Sequence, residues 1–208
     1  MSEFEHSSES NEHYTPPEVV EAARKLLGAI DLDPFSCALA NKVVQATEYF
    51  TVSGFERPWH MPDANSGRGP AARAFVNPPG GKLNKDMQPV KGGPGMSTAA
   101  LGWCKLVHEW EIGNVHSAVF IGFNLEVLRI TQQYEAMGIR SCMTFPFCVP
   151  RERLKFWGEN VEPGTGSPQY PNVIVAIPPR PTLDPEARSL WPGYFKQLFS
   201  EFGQVVLP

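Results

Sequence analysis

The sequence lacks the short motifs that usually mark metal-dependent or disulfide-stabilised proteins. It contains four cysteines in 208 residues, and no two of them form a C-x-x-C pair. Its five histidines form no H-E-x-x-H pattern. These absences argue against a zinc site and against a disulfide framework. We therefore expect no bound metal ion and reduced cysteines.

Long apolar runs are absent as well. No stretch approaches the roughly 20 residues that a membrane-spanning helix needs, and the acidic N-terminal region does not have the layout of a secretory signal. The composition, 42% hydrophobic and 19% charged, is typical of a globular domain. We expect one domain over residues 13–208, located in the cytoplasm and without membrane contact.

The charges are unevenly distributed, although the formal net charge is only -4. Residues 1–12 carry four glutamates and no lysine or arginine, which predicts a disordered acidic tail. Basic groups follow later in the chain, at Lys82, Lys85 and Lys91 and again at Arg151 and Arg153. A solvated loop surface is the common reason for such groups. Their position beside the motif described below favours a polyanion as the partner of these basic groups.

Strand-like apolar runs alternate with helical periodicity along the chain. Thr15-Pro16-Pro17-Glu18 has the form of a capping box, with Pro16 as the first helical residue, and the helix should end at Gly28. Further strands are predicted near 30–33, 73–77, 115–123, 139–145, 173–177 and 204–207, and further helices near 37–45, 97–112, 125–137 and 192–202. This alternation predicts an α/β fold with a mostly parallel sheet and helices on both faces.

Two Gly/Pro-rich polar inserts, at residues 53–72 and 80–96, interrupt the alternation. They flank the stretch Ala74-Phe75-Val76-Asn77-Pro78-Pro79-Gly80-Gly81, in which an apolar strand ends in an asparagine and two prolines. Such a sequence can simply punctuate a strand end. Alternatively, because proline restricts its own backbone and that of the preceding residue, Asn77 and the Pro78 carbonyl can form a rigid pair of hydrogen-bond acceptors.

Three segments, in this order, resemble the phage-type DNA N-6-adenine methyltransferases: Tyr14-Thr15-Pro16, then Asp31 to Ser36 followed by Asn41, then Phe75 to Pro79. The resemblance covers about residues 11–207. It implies a Rossmann-like methyltransferase fold, S-adenosyl-L-methionine as cofactor, DNA as partner, and a bacterial or phage-infected cell. The implied reaction is methyl transfer to N6 of an adenine that has been flipped out of the helix.

The resemblance also implies roles for individual residues. The catalytic motif is Asn77, Pro78 and Pro79, and the cofactor-binding residues are Tyr14, Thr15, Pro16, Asp33, Pro34, Phe35 and Asn41. Local structure offers other reasons for two of them, since Thr15 could serve only as a helix cap and Asp33 only in an Asx turn before Pro34. The glycine-rich motif of many methyltransferases is replaced by Ser36-Cys37-Ala38. Glu48 is one candidate for the acid that would bind the ribose.

Gly80 departs from the family pattern, in which an aromatic ring follows the two prolines and stacks on the extruded base. We predict that Phe147 supplies this ring, with Trp103 and Trp157 as weaker candidates and core packing as the alternative for Phe147. The departure leaves three functions open. They are an adenine-N6 methyltransferase, the same fold acting on another amine such as cytosine N4 or a protein amide, and a non-catalytic protein that binds DNA or senses the cofactor.

Overall fold

A computed structural model of the chain describes residues 13–62, 69–90, 94–158, 170–180 and 184–208. The predicted acidic tail at 1–12, residues 63–68 of the first insert and residues 91–93 of the second insert, which include Lys91, lie outside these residues. Within the described part, no helix is long and apolar enough to cross a membrane.

The described residues form five helices and nine strands, in the α/β alternation that the sequence predicts. The helices are α1 (Pro17–Leu27), α2 (Ala38–Val44), α3 (Thr98–Glu111), α4 (Glu126–Gln133) and α5 (Pro185–Phe199). The strands are β1 (Leu32–Asp33), β2 (Glu48–Tyr49), β3 (Ala72–Val76), β4 (Lys82–Leu83), β5 (Met96–Ser97), β6 (Val115–Gly122), β7 (Phe147–Pro150), β8 (Val173–Ile177) and β9 (Gly203–Val206).

Seven strands form the central sheet, in the order β2-β1-β3-β6-β8-β7-β9. β1 pairs in parallel with β2 and β3, and β3 pairs in parallel with β6. β8 enters antiparallel between β6 and β7, and the edge strand β9 is antiparallel to β7. The sheet is therefore mixed, although β1, β2, β3, β6 and β7 all point the same way.

Helices cover both faces of the sheet because side chains alternate along each buried strand. On one face, Phe75, Val119 and Ile174 pack with residues of α1 and α5. On the other face, Val76, Phe120 and Val175 pack with residues of α3. The two cores hold β3 and β6 rigidly at the centre of the fold.

Two predicted elements in the last third of the chain are wrong. Residues 139–145 form no strand; they contain a short 3₁₀ turn, Cys142–Thr144, and the strand begins only at Phe147. The last helix begins at Pro185, where the side chain of Asp184 accepts a hydrogen bond from the Ala187 N–H at 2.8 Å. Pro192, which the sequence pattern suggested as the helix start, lies inside this helix.

The described parts of the two inserts pack against the sheet edge that carries Asn77. In the first insert, Trp59 is fully buried, and its indole N–H donates to the Gly54 carbonyl at 2.8 Å. Its backbone N–H donates to the buried carboxylate of Glu109 on α3 at 3.3 Å. The second insert forms the antiparallel pair β4–β5, which exposes Lys82 and Lys85.

Candidate functional site

The site lies where the direction of the strand order reverses. From β1 the chain adds β2 on one side, then returns to add β3 and β6 on the other. In an open α/β sheet such a reversal leaves a crevice beyond the carboxyl ends of the two central strands. Asp33 ends β1 and Asn77 directly follows β3, so both residues lie at this crevice.

A small cavity occupies the crevice and collects five of the residues that the sequence analysis assigned to the site. Its lining is Tyr14, Thr15, Asp33, Phe35, Ala40, Val44, Phe75, Asn77 and Trp157. No lysine, arginine or histidine side chain is among them. The cavity has a volume of about 20 Å³, which is about the space of one water molecule. A larger ligand therefore requires the lining to separate.

Asn77 places a hydrogen-bond acceptor that has no partner within the described part of the chain in the wall of this cavity. Its side-chain amide nitrogen donates to the backbone carbonyl of His13 at 3.0 Å. Because that carbonyl can only accept, the orientation of the amide is fixed. The amide oxygen is buried and has no hydrogen-bond partner among the described residues. It is the acceptor that remains for a ligand.

Thr15 has the same property, and its predicted role as a helix cap is wrong. α1 begins at Pro17, its N-cap is Pro16, and no side chain caps it. The Thr15 hydroxyl is buried in the cavity wall with no hydrogen-bond partner among the described residues. A buried hydroxyl without a partner costs free energy. The helix therefore does not explain Thr15, whereas a ligand could.

Asp33 is a buried carboxyl group that lines a cavity without a cation. It is 2% exposed, and one carboxylate oxygen accepts the Phe35 N–H at 3.2 Å, which is the predicted Asx turn. Burial raises the pKa of Asp33 to about 7, and the hydrogen bond from the Phe35 backbone N–H opposes this increase. A cationic ligand would supply the missing countercharge.

Residues 13–16 cross the top of the cavity and are fixed to Trp157. The backbones of Tyr14 and Trp157 exchange two hydrogen bonds, of 2.7 and 3.0 Å. The Trp157 indole N–H donates to the Thr15 carbonyl at 3.0 Å, and the rings of Tyr14 and Trp157 meet edge to face. The Cys37 thiol donates to the Tyr14 hydroxyl at 3.1 Å. This segment brings the His13 carbonyl to Asn77.

Several predicted cofactor residues lie outside the cavity lining. Pro16 and Pro34 are buried beside it. The Asn41 amide bonds through both its oxygen and its nitrogen to the backbone of Ala46, so it closes a loop and does not reach the cavity. Glu48 lies on β2 opposite Leu32 and is also not part of the lining.

The structure contradicts the stacking role predicted for Phe147. This residue is 6% exposed and packs in the core beside α3, and β6 and β8 separate its strand from β3. Residues 139–145, which were predicted to form the strand before Phe147, form no strand. Trp103 is also a fully buried core residue. Of the three aromatic candidates, Trp157 alone lines the cavity.

Close backbone contacts hold the two strand ends in place. A Cβ atom at Gly102 of α3 would lie 2.5 Å from Pro78, and one at Gly54 would lie 2.1 Å from the Pro34 carbonyl. Real Cβ atoms do not approach this closely, so both positions require glycine. Gly102 allows α3 to support the Asn-Pro-Pro turn. Gly54 lets the first insert support the Asp33–Phe35 turn.

The predicted DNA contacts divide into two places. Lys82 and Lys85 are exposed on the β4–β5 segment that follows the Asn-Pro-Pro turn. Arg151 and Arg153 are exposed after the carboxyl end of β7, where they line a second, larger cleft.

Sequence reasoning missed His13, Gly54 and Gly102. His13 acts through its backbone carbonyl, which leaves no signal in residue type. Its position directly before the Tyr-Thr-Pro segment was the only available hint. The two glycines matter through contacts between distant segments, which a single sequence does not reveal.

Comparisons with family models, curated proteins and solved structures gave no match for this chain. Within the described part of the chain, no group of three or more His, Cys, Asp or Glu side chains is arranged to hold a metal ion. The functional proposal therefore depends on the chemistry of the cavity.

A pair of glycine substitutions tests the contact that supports Pro78. In a helix interior, Gly→Ala normally stabilises by about 0.5–1 kcal/mol. Gly193→Ala on α5, where nothing lies within 4 Å, should show this gain. Gly102→Ala should instead lower the free energy of unfolding by roughly 1–3 kcal/mol, because the new methyl group overpacks against Pro78. Urea denaturation measures both, and equal stabilisation would contradict the contact.

Asp33→Asn tests the unpaired carboxyl group. The folded pKa of about 7 exceeds the ordinary value of 3.8, so ionisation destabilises the wild-type fold as the pH rises between these values. An amide does not ionise and can still accept the Phe35 N–H. The variant should therefore gain stability over the wild type by about 2 kcal/mol between about pH 5.5 and about pH 8. Denaturation at both pH values measures this, and a pH-independent difference would show that Asp33 has an ordinary pKa.

Proposed function

We propose that this chain is an S-adenosylmethionine-dependent DNA methyltransferase of Rossmann-like fold that transfers a methyl group to N6 of a flipped-out adenine. The observation that carries the proposal is the bare, oriented amide oxygen of Asn77 in a cavity at the sheet's reversal point. A mere strand end would not require a buried acceptor to be held in place without a partner. The ordered motif resemblance then identifies the chemistry.

The adenine amine is a weak nucleophile because its lone pair is delocalised into the ring. The Asn77 oxygen accepts one amine hydrogen and the Pro78 carbonyl accepts the other, which localises the lone pair on nitrogen. Acceptors that are fixed before the substrate arrives need no reorganisation during the reaction. The His13 carbonyl orients Asn77, Pro79 restrains the turn, and Gly102 lets α3 support Pro78.

The remaining lining residues have the chemistry to hold the cofactor. S-adenosylmethionine, when bound, supplies a methyl group on a positively charged sulfur. Asp33 provides a carboxylate that lacks a cation, and Thr15 provides an unpaired hydroxyl. The rings of Tyr14, Phe35 and Trp157 can face a cation. Since ligands of this size occupy pockets of roughly 300–1,000 Å³, binding requires the rest of the lining to move away from the 13–16 segment, while the His13 carbonyl stays on Asn77.

The target base must leave the duplex to reach Asn77. Gly80 and Gly81 have open space around them and Gly81 has a φ of +105°, so the chain after the prolines leaves room for the base. Gly80 cannot stack on it. With Phe147 in the core, the rings that line the cavity are one set of aromatic surfaces that the site offers to the base.

A second candidate is the same fold acting on another amine, such as cytosine N4 or a protein amide. Gly80 supports this candidate. Two fixed acceptors can bind the hydrogens of any planar amine, and position 80 has no ring that would select adenine. A non-catalytic DNA-binding or cofactor-sensing role is less favoured. A non-catalytic protein would not need a fixed hydrogen-bond acceptor for an amine.

The decisive measurement is methyl transfer to unmethylated DNA, followed by mass spectrometry of the nucleosides. We expect N6-methyladenine. N4-methylcytosine would favour the second candidate, and cofactor binding without transfer to DNA or protein would favour the non-catalytic one. Absence of calorimetric binding to S-adenosylhomocysteine at about millimolar concentration, far above the usual range of affinities, would rule out both methyltransferase candidates.

Asn77→Ala tests the role of the motif. Removing one fixed acceptor typically lowers the rate by about 10²–10³-fold. Cofactor affinity should change little, because the amide acts on the amine. Asn124→Ala is the matched control, since Asn124 accepts the Glu126 N–H at 2.9 Å and is not part of the lining. If Asn77→Ala kept wild-type activity, the Asn-Pro-Pro motif would have no catalytic role and would only end the strand.

A further inference from the structure

A second cleft lies on the same edge of the sheet, at the carboxyl end of β7. It has a volume of about 340 Å³. Six charged side chains line it: Glu18, Arg151, Glu152, Arg153, Lys155 and Glu201. Leu154 and Phe202 add apolar surface. The cleft is large enough for a small planar ligand.

The charges of this cleft do not suit a phosphate backbone. Three are positive and three are negative, so the cleft is formally neutral. Phosphate binding depends on a surplus of cations, and each carboxylate would repel a phosphate. The prediction that Arg151 and Arg153 contact phosphates therefore fits their surroundings poorly. Lys82 and Lys85, with Asp86 as the one acidic residue that directly follows them in the chain, remain the better candidates for that contact.

Mixed donors and acceptors beside an apolar surface match the edge and face of a nucleobase. Arginine pairs with the O6 and N7 acceptors of guanine, and glutamate accepts from the amino group of cytosine. Apolar and aromatic side chains contact the face of a base. Neutral nucleobases offer both donors and acceptors, which a phosphate does not.

The cleft adjoins the proposed catalytic cavity along two segments of the chain. On the first segment, Thr15 lines the cavity and Glu18 lines the cleft. On the second segment, Trp157 lines the cavity and Lys155 lines the cleft. Three residues span at most about 11 Å. Because an extruded nucleotide stays joined to its neighbours through the backbone, a cleft this close to the cavity can receive a base beside the target.

The arginine nearest β7 is held in a defined position. The Arg151 backbone N–H donates to the Phe202 carbonyl at 2.9 Å, and its guanidinium donates to the Ser200 carbonyl at 3.3 Å. A Cβ at Gly203 would lie 2.0 Å from the Val149 carbonyl, so β7 and β9 meet closely here. A fixed scaffold of this kind is what base discrimination requires.

We propose that this cleft reads a nucleobase adjacent to the target adenine and so sets the sequence context of methylation. The inference rests on the proposed function, because it takes the first cavity as the place of the target base. It assigns Arg151, Glu152 and Glu201 to base recognition. Binding of the DNA phosphate backbone is assigned to Lys82 and Lys85, which follow the Asn-Pro-Pro turn.

The test uses a DNA pool in which the bases flanking a fixed adenine are randomised. Sequencing the methylated fraction gives the flanking preference, and sequencing the protein-bound fraction gives it independently of catalysis. Arg151→Gln and Glu152→Gln should each change the preference at one flanking position by about 5-fold or more. Lys82→Gln is the control for a phosphate contact. It should weaken binding uniformly and lower the log-log salt slope by about 0.9.

The outcomes separate the two proposals. An unchanged flanking preference in both cleft variants, or a uniform loss with a reduced salt slope in Arg151→Gln, would overturn base reading. Suppose that the wild-type protein binds some flanking bases preferentially and that the cleft variants change this preference. That result would support base reading even if no methyl group were transferred. In that case only the catalytic proposal would fail. Thermal melting of each variant checks that its fold is intact.

Discussion

The hydrogen bond between the Asn77 amide nitrogen and the His13 carbonyl is the interaction on which the site depends. It joins the segment before α1 to the end of β3, although 64 residues separate the partners. By engaging the nitrogen, it leaves the oxygen as the free end of the amide. The Tyr14–Trp157 hydrogen bonds hold His13 in place, so the orientation of one side chain depends on three separate parts of the chain.

The cavity concentrates groups that reduce the stability of the fold. The Thr15 hydroxyl and the Asn77 oxygen are buried without partners among the described residues, and Asp33 is a carboxyl group without a cation. Each is unfavourable in the absence of a ligand. Local departures of this kind are typical of functional sites.

The charged groups that flank the cavity differ in what they can recognise. Lys82 and Lys85 extend from a short β hairpin into solvent, where a cation can follow a phosphate without a fixed position. Arg151 is anchored to the turn between α5 and β9 and shares its cleft with carboxylates. Phosphate binding needs only surplus charge, whereas base recognition needs fixed donors and acceptors. The net charge of the whole chain conceals this difference.

The sequence by itself determined the α/β class, most element positions, and the grouping of Tyr14, Thr15, Asp33, Phe35 and Asn77. Periodicity sets the elements, whereas the grouping of these five residues was implied by the resemblance of three ordered segments to a known family. Tertiary structure alone decided that Thr15 does not cap α1, that Asn41 closes a loop, and that Phe147 belongs to the core. It also decided the antiparallel entry of β8 and the placement of Arg151 in one cleft with three carboxylates. Apart from Asn41, which bonds to Ala46 only five residues away, these outcomes follow from contacts between segments far apart in the chain, and a pattern along one sequence carries no record of such contacts.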